Sequence, residues 1–301
     1  MGIANLGYVI IDSQDPQAWA EFGETVLGFK TADRKDDSGA CYLRMDDAAY
    51  RYMIRPAEAD GFYACGYEMS SEADFTAQVD KLTAAGVSVK AGSDAEAAQR
   101  GVAAFARCVD PSGNTLEFYH GREAGSPFTP GAHVSGFVTG EMGLGHVVLP
   151  APENAVTENF YRELMGFGIS DDLTLPPPAE NLPDQRILFL HADNPRHHTL
   201  GLYNFPSPTG VIHLMAEMQN MDDVGYCMDR VKQAGLHIFA SLGRHSNDEM
   251  VSFYFFAPGG IGIEVGYDGK QIHDWSKFTP TKSTSGDYWG HEYDFPQMGD
   301  A

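Results

Sequence analysis

The chain repeats itself, and the repeat constrains its fold more than any other feature. NLGYVII near the start is followed by a helix-like segment and LGF (Leu27 to Phe29); GLGHVVL is followed by ENAVTENFYREL and MGF (Met165 to Phe167). The spacing is the same in both copies: 27 − 6 = 21 from Leu6 to Leu27, and 165 − 144 = 21 from Leu144 to Met165. A second echo sets DPSGNTLEF (Asp110 to Phe118) against APGGIGIEV (Ala257 to Val265), at an offset of 264 − 117 = 147 against 144 − 6 = 138 for the first. Two ordered matches at similar offsets indicate a duplicated domain of about 140 residues.

Each half divides again into strand, helix and paired strands, twice over. In the second half, a strand at Val147 to Pro150 leads to a helix near Glu153 to Met165, then strands at Gln185 to His191 and His198 to Asn204. Val211 to Met218 reads as a strand, and Asp222 to Ala234 has helical spacing (Val224, Cys227, Met228, Val231) ended by Gly235. Strands at Met250 to Phe256 and Ile261 to Gly266 close the half, and the first half matches with helices near Pro16 to Leu27 and Glu72 to Ala85. Consecutive strands after each helix fit α+β modules better than an alternating parallel sheet. No GxGxxG follows a strand and opens a helix, so a dinucleotide site lacks support. The Gly, Pro, Ser and Thr of about Gly121 to Gly140 read as the connection, giving domains 1–130 and 131–301, with a polar, aromatic tail beyond Lys270 expected to wrap the surface.

Charge narrows the partners. Twenty Lys plus Arg against 42 Asp plus Glu give a net charge of −22, a field that repels nucleic acid and anionic membranes. Cys41, Cys65, Cys108 and Cys227 form no CxxC pair, which argues against a disulfide framework or structural zinc. MGIANLGYVI has no basic start and no long apolar run, so a signal peptide is not expected and the location expected is cytoplasmic.

Of eleven histidines, only His120 and His133 precede residue 146. His146 interrupts GLGHVVL, His213 interrupts GVIHLMAEM and Glu264 interrupts GIGIEVG, each among apolar neighbours. A buried ionised carboxylate costs several kcal/mol unless it is paired. Alternation along the strand puts Glu264 on a face with Gly262 and Gly266, small residues that leave room beside it. Two imidazoles and one carboxylate with open positions are the facial set of non-haem iron(II) oxygenases. The repeat is an internal control: Tyr8 stands where the second copy has His146, Phe62 to Glu68 contains no His, and only Glu117 matches Glu264. Residues serving the fold itself would recur in both copies. Zinc is the second choice of metal, with no HExxH and ligands on separate strands against a protease. His197, His198, His245, Asn247, Asp248 and Tyr254 lie in nearby motifs, and adjacent His197 and His198 are expected to point to opposite faces if extended.

GLGHVVL, PRHHTL, HLMAEM, GRHSNDEMVSFY, PGGIGIEVGYDG and the terminal YWGH together resemble the type I extradiol catechol dioxygenases of the vicinal oxygen chelate superfamily. LGYVII, YLRMDD and DPSGNTLEFYHG extend the resemblance over essentially the whole chain, most closely to the enzymes that cleave 2,3-dihydroxybiphenyl and to steroid-catechol dioxygenases. The resemblance implies βαβββ modules in curved, barrel-like sheets, a metal-free first domain, and iron(II) on His146, His213 and Glu264, with manganese(II) sharing every ligand. It implies His198 as the catalytic acid–base, His245 and Tyr254 hydrogen-bonding the catecholate, and Asn247 in the same substrate-binding loop. The substrate implied is a 3-substituted catechol with dioxygen, in aromatic-compound degradation, by a homo-oligomer. The competing reading is a non-catalytic aromatic-binding module of the same superfamily, which has no need of a metal trio.

Overall fold

The computed structural model describes residues 2–34, 37–131 and 134–295; His133 lies outside them. Each half forms one mixed sheet. The first contains β1 (Ile3–Ser13), β2 (Lys30–Thr31), β3 (Cys41–Arg44), β4 (Tyr52–Pro56), β5 (Gly61–Met69), β6 (Lys90–Ala91), β7 (Val102–Val109) and β8 (Thr115–Arg122), ordered β2-β3-β4-β1-β5-β8-β7-β6. The second contains β9 (His146–Pro150), β10 (Gly168–Leu175), β11 (Gln185–His191), β12 (Leu200–Tyr203), β13 (His213–Met218), β14 (Ile238–His245), β15 (Val251–Phe256) and β16 (Gly262–Tyr267), together with β17 (Thr281–Ser283) and β18 (Asp287–Trp289) from the tail. Its order is β17-β10-β11-β12-β9-β13-β16-β15-β14-β18. Without the tail strands the two orders are the same, so the duplicated βαβββ architecture holds strand for strand.

The helices explain the 21-residue spacing of the repeat. Helix α1 (Pro16–Phe22) starts where the Asp15 carboxylate accepts the N–H groups of Gln17 and Ala18, and its last turn widens over Gly23–Leu27 before Gly28 turns left-handed. In the second half the helix near Glu153 to Met165 is likewise an α-helix over Asn154–Asn159 that widens over Phe160–Met165 and stops at left-handed Gly166. LGF and MGF are therefore helix stops. The longer helices run Glu72–Ala84 and Met221–Gln233, within a residue of expectation.

Two features go beyond the sequence reading. A short helix, Asp94–Arg100, is inserted before β7. The tail does more than wrap the surface: β17 pairs with β10 and β18 with β14, so it supplies both edges of the second sheet. One hydrophobic core runs through both halves, from Ile3 and Trp19 to Phe253 and Val265.

Candidate metal centre

Adjacent strands β9, β13 and β16 build the centre. Met215 lies opposite both His146 and Glu264 in register, and His213, two residues before it, points to the same face. The result is convergent: His146 Nε2 lies 3.1 Å from His213 Nε2 and 3.1 Å from Glu264 Oε2, and His213 Nε2 lies 3.3 Å from the same oxygen. Ligand atoms about 3 Å apart are what metal bonds of about 2.1 Å at roughly right angles produce. Glu264 is 1% exposed and His146 2%, so the donors face one another rather than bulk water. Burial alone would raise the Glu264 carboxyl, yet His146, His213 and His245 around it hold it well below the usual carboxylate range. Burial lowers His146 to about 4, more than Glu264 raises it, which leaves a neutral imidazole able to ligate. The donor set fits a divalent cation.

Gly262 makes room for this arrangement: a Cβ there would sit 2.4 Å from Ile212 O and 3.3 Å from His213 Cβ. Gly266 has a different tenant, since its open face is filled by Met250 and Ser252.

The first half answers how Glu117 is satisfied. Tyr8 is opposite Gly66, Gly66 is opposite Glu117, and Glu117 is opposite Arg107. In the second half the same register reads His146, Met215, Glu264 and Tyr254. Glu117 binds Arg100 through both oxygens at 2.5 and 2.6 Å, accepts from Arg107 at 2.9 Å, and accepts the Tyr8 hydroxyl at 2.8 Å. A guanidinium stands where the second half offers a metal site.

Further polar residues gather beside the trio. The chain bends after Asn194, whose side chain accepts from Arg196 N–H, so His197 and His198 do not diverge as extended neighbours would. Their Nδ1 atoms are 3.2 Å apart, and the His198 ring lies 4.1 Å from that of His146. Burial, then His146 and His197, push His198 well below its ordinary value. His245 Nε2 lies 2.6 Å from the Tyr254 hydroxyl and 3.4 Å from Glu264 Oε1. Burial and Glu264 raise the Tyr254 phenol, which keeps its proton. Asn247 turns its amide oxygen onto Asp248 N–H, while buried Asp248 approaches His198 Nδ1 at 3.8 Å. In the sequence, Asp248, Asp287 and His291 carry no signal of a role beyond the GRHSND run and the YWGH ending.

Residues 6–56 match the family model for the first domain of dihydroxybiphenyl dioxygenase BphC, and residues 143–265 match that of the glyoxalase/bleomycin resistance protein/dioxygenase superfamily. The iron-dependent extradiol dioxygenase of Rhodococcus jostii (strain RHA1) is 41% identical over 300 residues, 97% of this chain and 98% of that protein. The chain belongs to the type I extradiol catechol dioxygenases. The biphenyl-2,3-diol 1,2-dioxygenase of Metapseudomonas furukawaii is 38% identical to this dioxygenase over 97% of the chain and 94% of that protein. The crystal structure of BphC, a halotolerant catechol dioxygenase, superposes with a TM-score of 0.88 at 33% identity, covering 97% and 95% of the two chains. The dioxygenase opens a catechol ring beside its two hydroxyls through a metal site of two imidazoles and one carboxylate, the set that His146, His213 and Glu264 offer. Dioxygen is the co-substrate of that chemistry. Among the described residues, no helix is long and apolar enough to cross a membrane.

Proposed function

We propose that the dioxygenase holds iron(II) on His146 Nε2, His213 Nε2 and Glu264 Oε2, and that it cleaves a 3-substituted catechol such as 2,3-dihydroxybiphenyl in the breakdown of aromatic compounds. The observation that carries this is the convergence of those three atoms within 3.3 Å of one another. The iron-dependent and biphenyl-diol-cleaving relatives support the choice of metal and substrate. Residues 1–130 then form a metal-free supporting domain and residues 131–301 the catalytic one. The same reading makes it a cytoplasmic homo-oligomer, with Tyr288, Trp289 and Phe295 exposed on the tail as apolar surface for a second copy to cover.

When bound, iron supplies the Lewis acidity that favours loss of a phenolic proton and the redox route by which ring electron density reaches dioxygen. The protein supplies position and protons. His198, neutral and buried against His146, is the acid–base that takes up a proton beside the reacting oxygen and returns it when the oxygen–oxygen bond breaks. Tyr254 and His245, joined at 2.6 Å, hydrogen-bond the catechol oxygens and fix which one keeps its proton. Asn247 shapes the turn that carries Asp248 to His198.

The test is anaerobic reconstitution with iron(II) or manganese(II), then a panel of 3-substituted catechols and admission of air. Yellow ring-opened product with iron and a preference for 2,3-dihydroxybiphenyl is the expected result. Turnover with manganese alone, or a preference for unsubstituted catechol, refutes the corresponding part. His198→Ala should keep its metal and lose turnover by about 100-fold; full turnover removes the acid–base assignment.

A further inference from the structure

The tail reaches the catalytic face through one carboxylate. β18 pairs with β14 so that Asp287 lies opposite His245. A single oxygen, Asp287 Oδ1, accepts from His245 Nδ1 at 2.8 Å and from His291 Nδ1 at 2.6 Å. The other nitrogen of His291 lies 3.0 Å from the Ser252 carbonyl oxygen, so the tail meets β15 as well. His291 is 4% exposed and sits in a left-handed conformation with φ 49, a backbone state that costs a non-glycine residue on the order of 1 kcal/mol and persists only where surroundings enforce it. Gly243 on β14 leaves the space its ring fills: a Cβ there would meet His291 Cγ at 2.5 Å.

This arrangement has a direction. With Nδ1 committed to Asp287, the His245 ring cannot flip, and Nε2 is aimed at the Tyr254 hydroxyl and Glu264. A carboxylate on the far nitrogen of an imidazole fixes both its orientation and which nitrogen carries the proton. Burial alone would raise the Asp287 carboxyl, but the bonds from His245 and His291 hold it at about 2, so it is present as the carboxylate acceptor.

We propose that Asp287 is a positioning residue for extradiol cleavage: delivered by the tail and held by His291, it fixes the His245 ring whose Nε2 meets the catechol. This rests on the role of His245 proposed above. The sequence span is the reason it is hidden, because Asp287 lies 42 residues beyond His245.

The experiment compares Asp287→Ala, Asp287→Asn and His245→Ala, alone and as the Ala/Ala pair, in the iron-loaded enzyme, with exposed Tyr288→Ala as a tail control. Both Asp287 variants should keep iron, lose about 10–100-fold in kcat and change KM by less than about 3-fold, with Asn the milder. The pair should turn over no more slowly than His245→Ala, because Asp287 acts through that ring. Proton–nitrogen correlation spectra of the isotope-labelled, metal-free protein supply a readout independent of turnover: a downfield, slowly exchanging His245 Nδ1 proton, lost in Asp287→Ala. Unchanged kcat in both Asp287 variants, a further kcat loss in the pair, or a wild-type His245 without that proton overturns the proposal. A His245→Ala variant with full turnover instead removes the underlying role of His245, and a loss shared by Tyr288→Ala shows a merely structural tail.

Discussion

Glu264 and Glu117 occupy equivalent strand positions and are both buried, yet their charges are answered differently. Glu264 faces three imidazoles; Glu117 faces two guanidiniums and a phenol. The same substitution should therefore read out differently. Glu264→Gln removes a metal-binding oxygen, so retained iron after dialysis should fall at least about 10-fold while the metal-free protein melts close to wild type. Glu117→Gln leaves Arg100 buried without its counter-charge, so stability to denaturant should fall by about 3 kcal/mol with iron content unchanged. Equal metal loss in both would contradict the division of labour. The anomaly of a carboxylate on an apolar strand was readable in sequence, and so was the absence of histidines in the first copy. Arg100 was not, because DAEAAQR offers no apolar periodicity and the pairing appears only when that helix folds against β7 and brings Arg100 to Glu117 on β8. Acid should act through His197, which burial lowers to about 4 from 6.5. Between those values the unfolded chain binds the proton and the folded protein does not, so stability is intact above pH 6.5 and is lost as pH falls towards 4, by up to about 3 kcal/mol. His197→Gln should make the stability profile shallower across that window, with His146 and His198 supplying the remaining slope, measured by denaturant melts at stepped pH; an unchanged slope would sink the assignment.

At the scale of elements, the site depends on how closely β13 and β16 approach. Strand alternation puts Gly262 beside Glu264 as a small residue that makes room, and its use is more specific than that: it admits the backbone at Ile212 and the Cβ of His213. Gly262→Ala places a methyl 2.4 Å from a carbonyl oxygen that cannot swing aside. The two ligand strands should separate locally, weakening iron binding and costing about 1–3 kcal/mol by thermal or denaturant melting. Gly225 is the contrast, in the middle of the helix Met221–Gln233, where an added methyl would meet nothing within 4 Å. There Gly225→Ala should stabilise by about 0.5–1 kcal/mol, since alanine loses less backbone freedom in a helix. Long helices and apolar strands were legible because each carries its own periodicity. β17 and β18 were not, for three-residue strands of polar and aromatic residues take their identity from the edges they meet.

At the scale of the molecule, the duplication has produced two sheets that share one interior. Tyr67 of the first half packs edge-on against Phe167 of the second at 5.3 Å, and Phe22 lies against Phe255. Polar contacts cross the same boundary: Tyr161 donates to Asp110 at 3.1 Å, and Asn114 donates to the Pro150 carbonyl at 2.9 Å. Burial pushes the Asp110 carboxyl up, while the hydrogen bonds it accepts from Asn114 and Tyr161 act the other way. On the division of labour proposed above, a first half sharing its core in this way would stabilise the second without touching its chemistry. The two halves should then unfold together. Tyr67→Ala removes a fully buried ring and should cost about 3–5 kcal/mol, lowering one common calorimetric transition by on the order of 5 °C. Iron release, followed in the same scan, should move down by the same amount although Tyr67 lies outside the metal centre. Two transitions, with iron released at the wild-type temperature, would show that the second half stands alone and that the duplicated partner is dispensable to it.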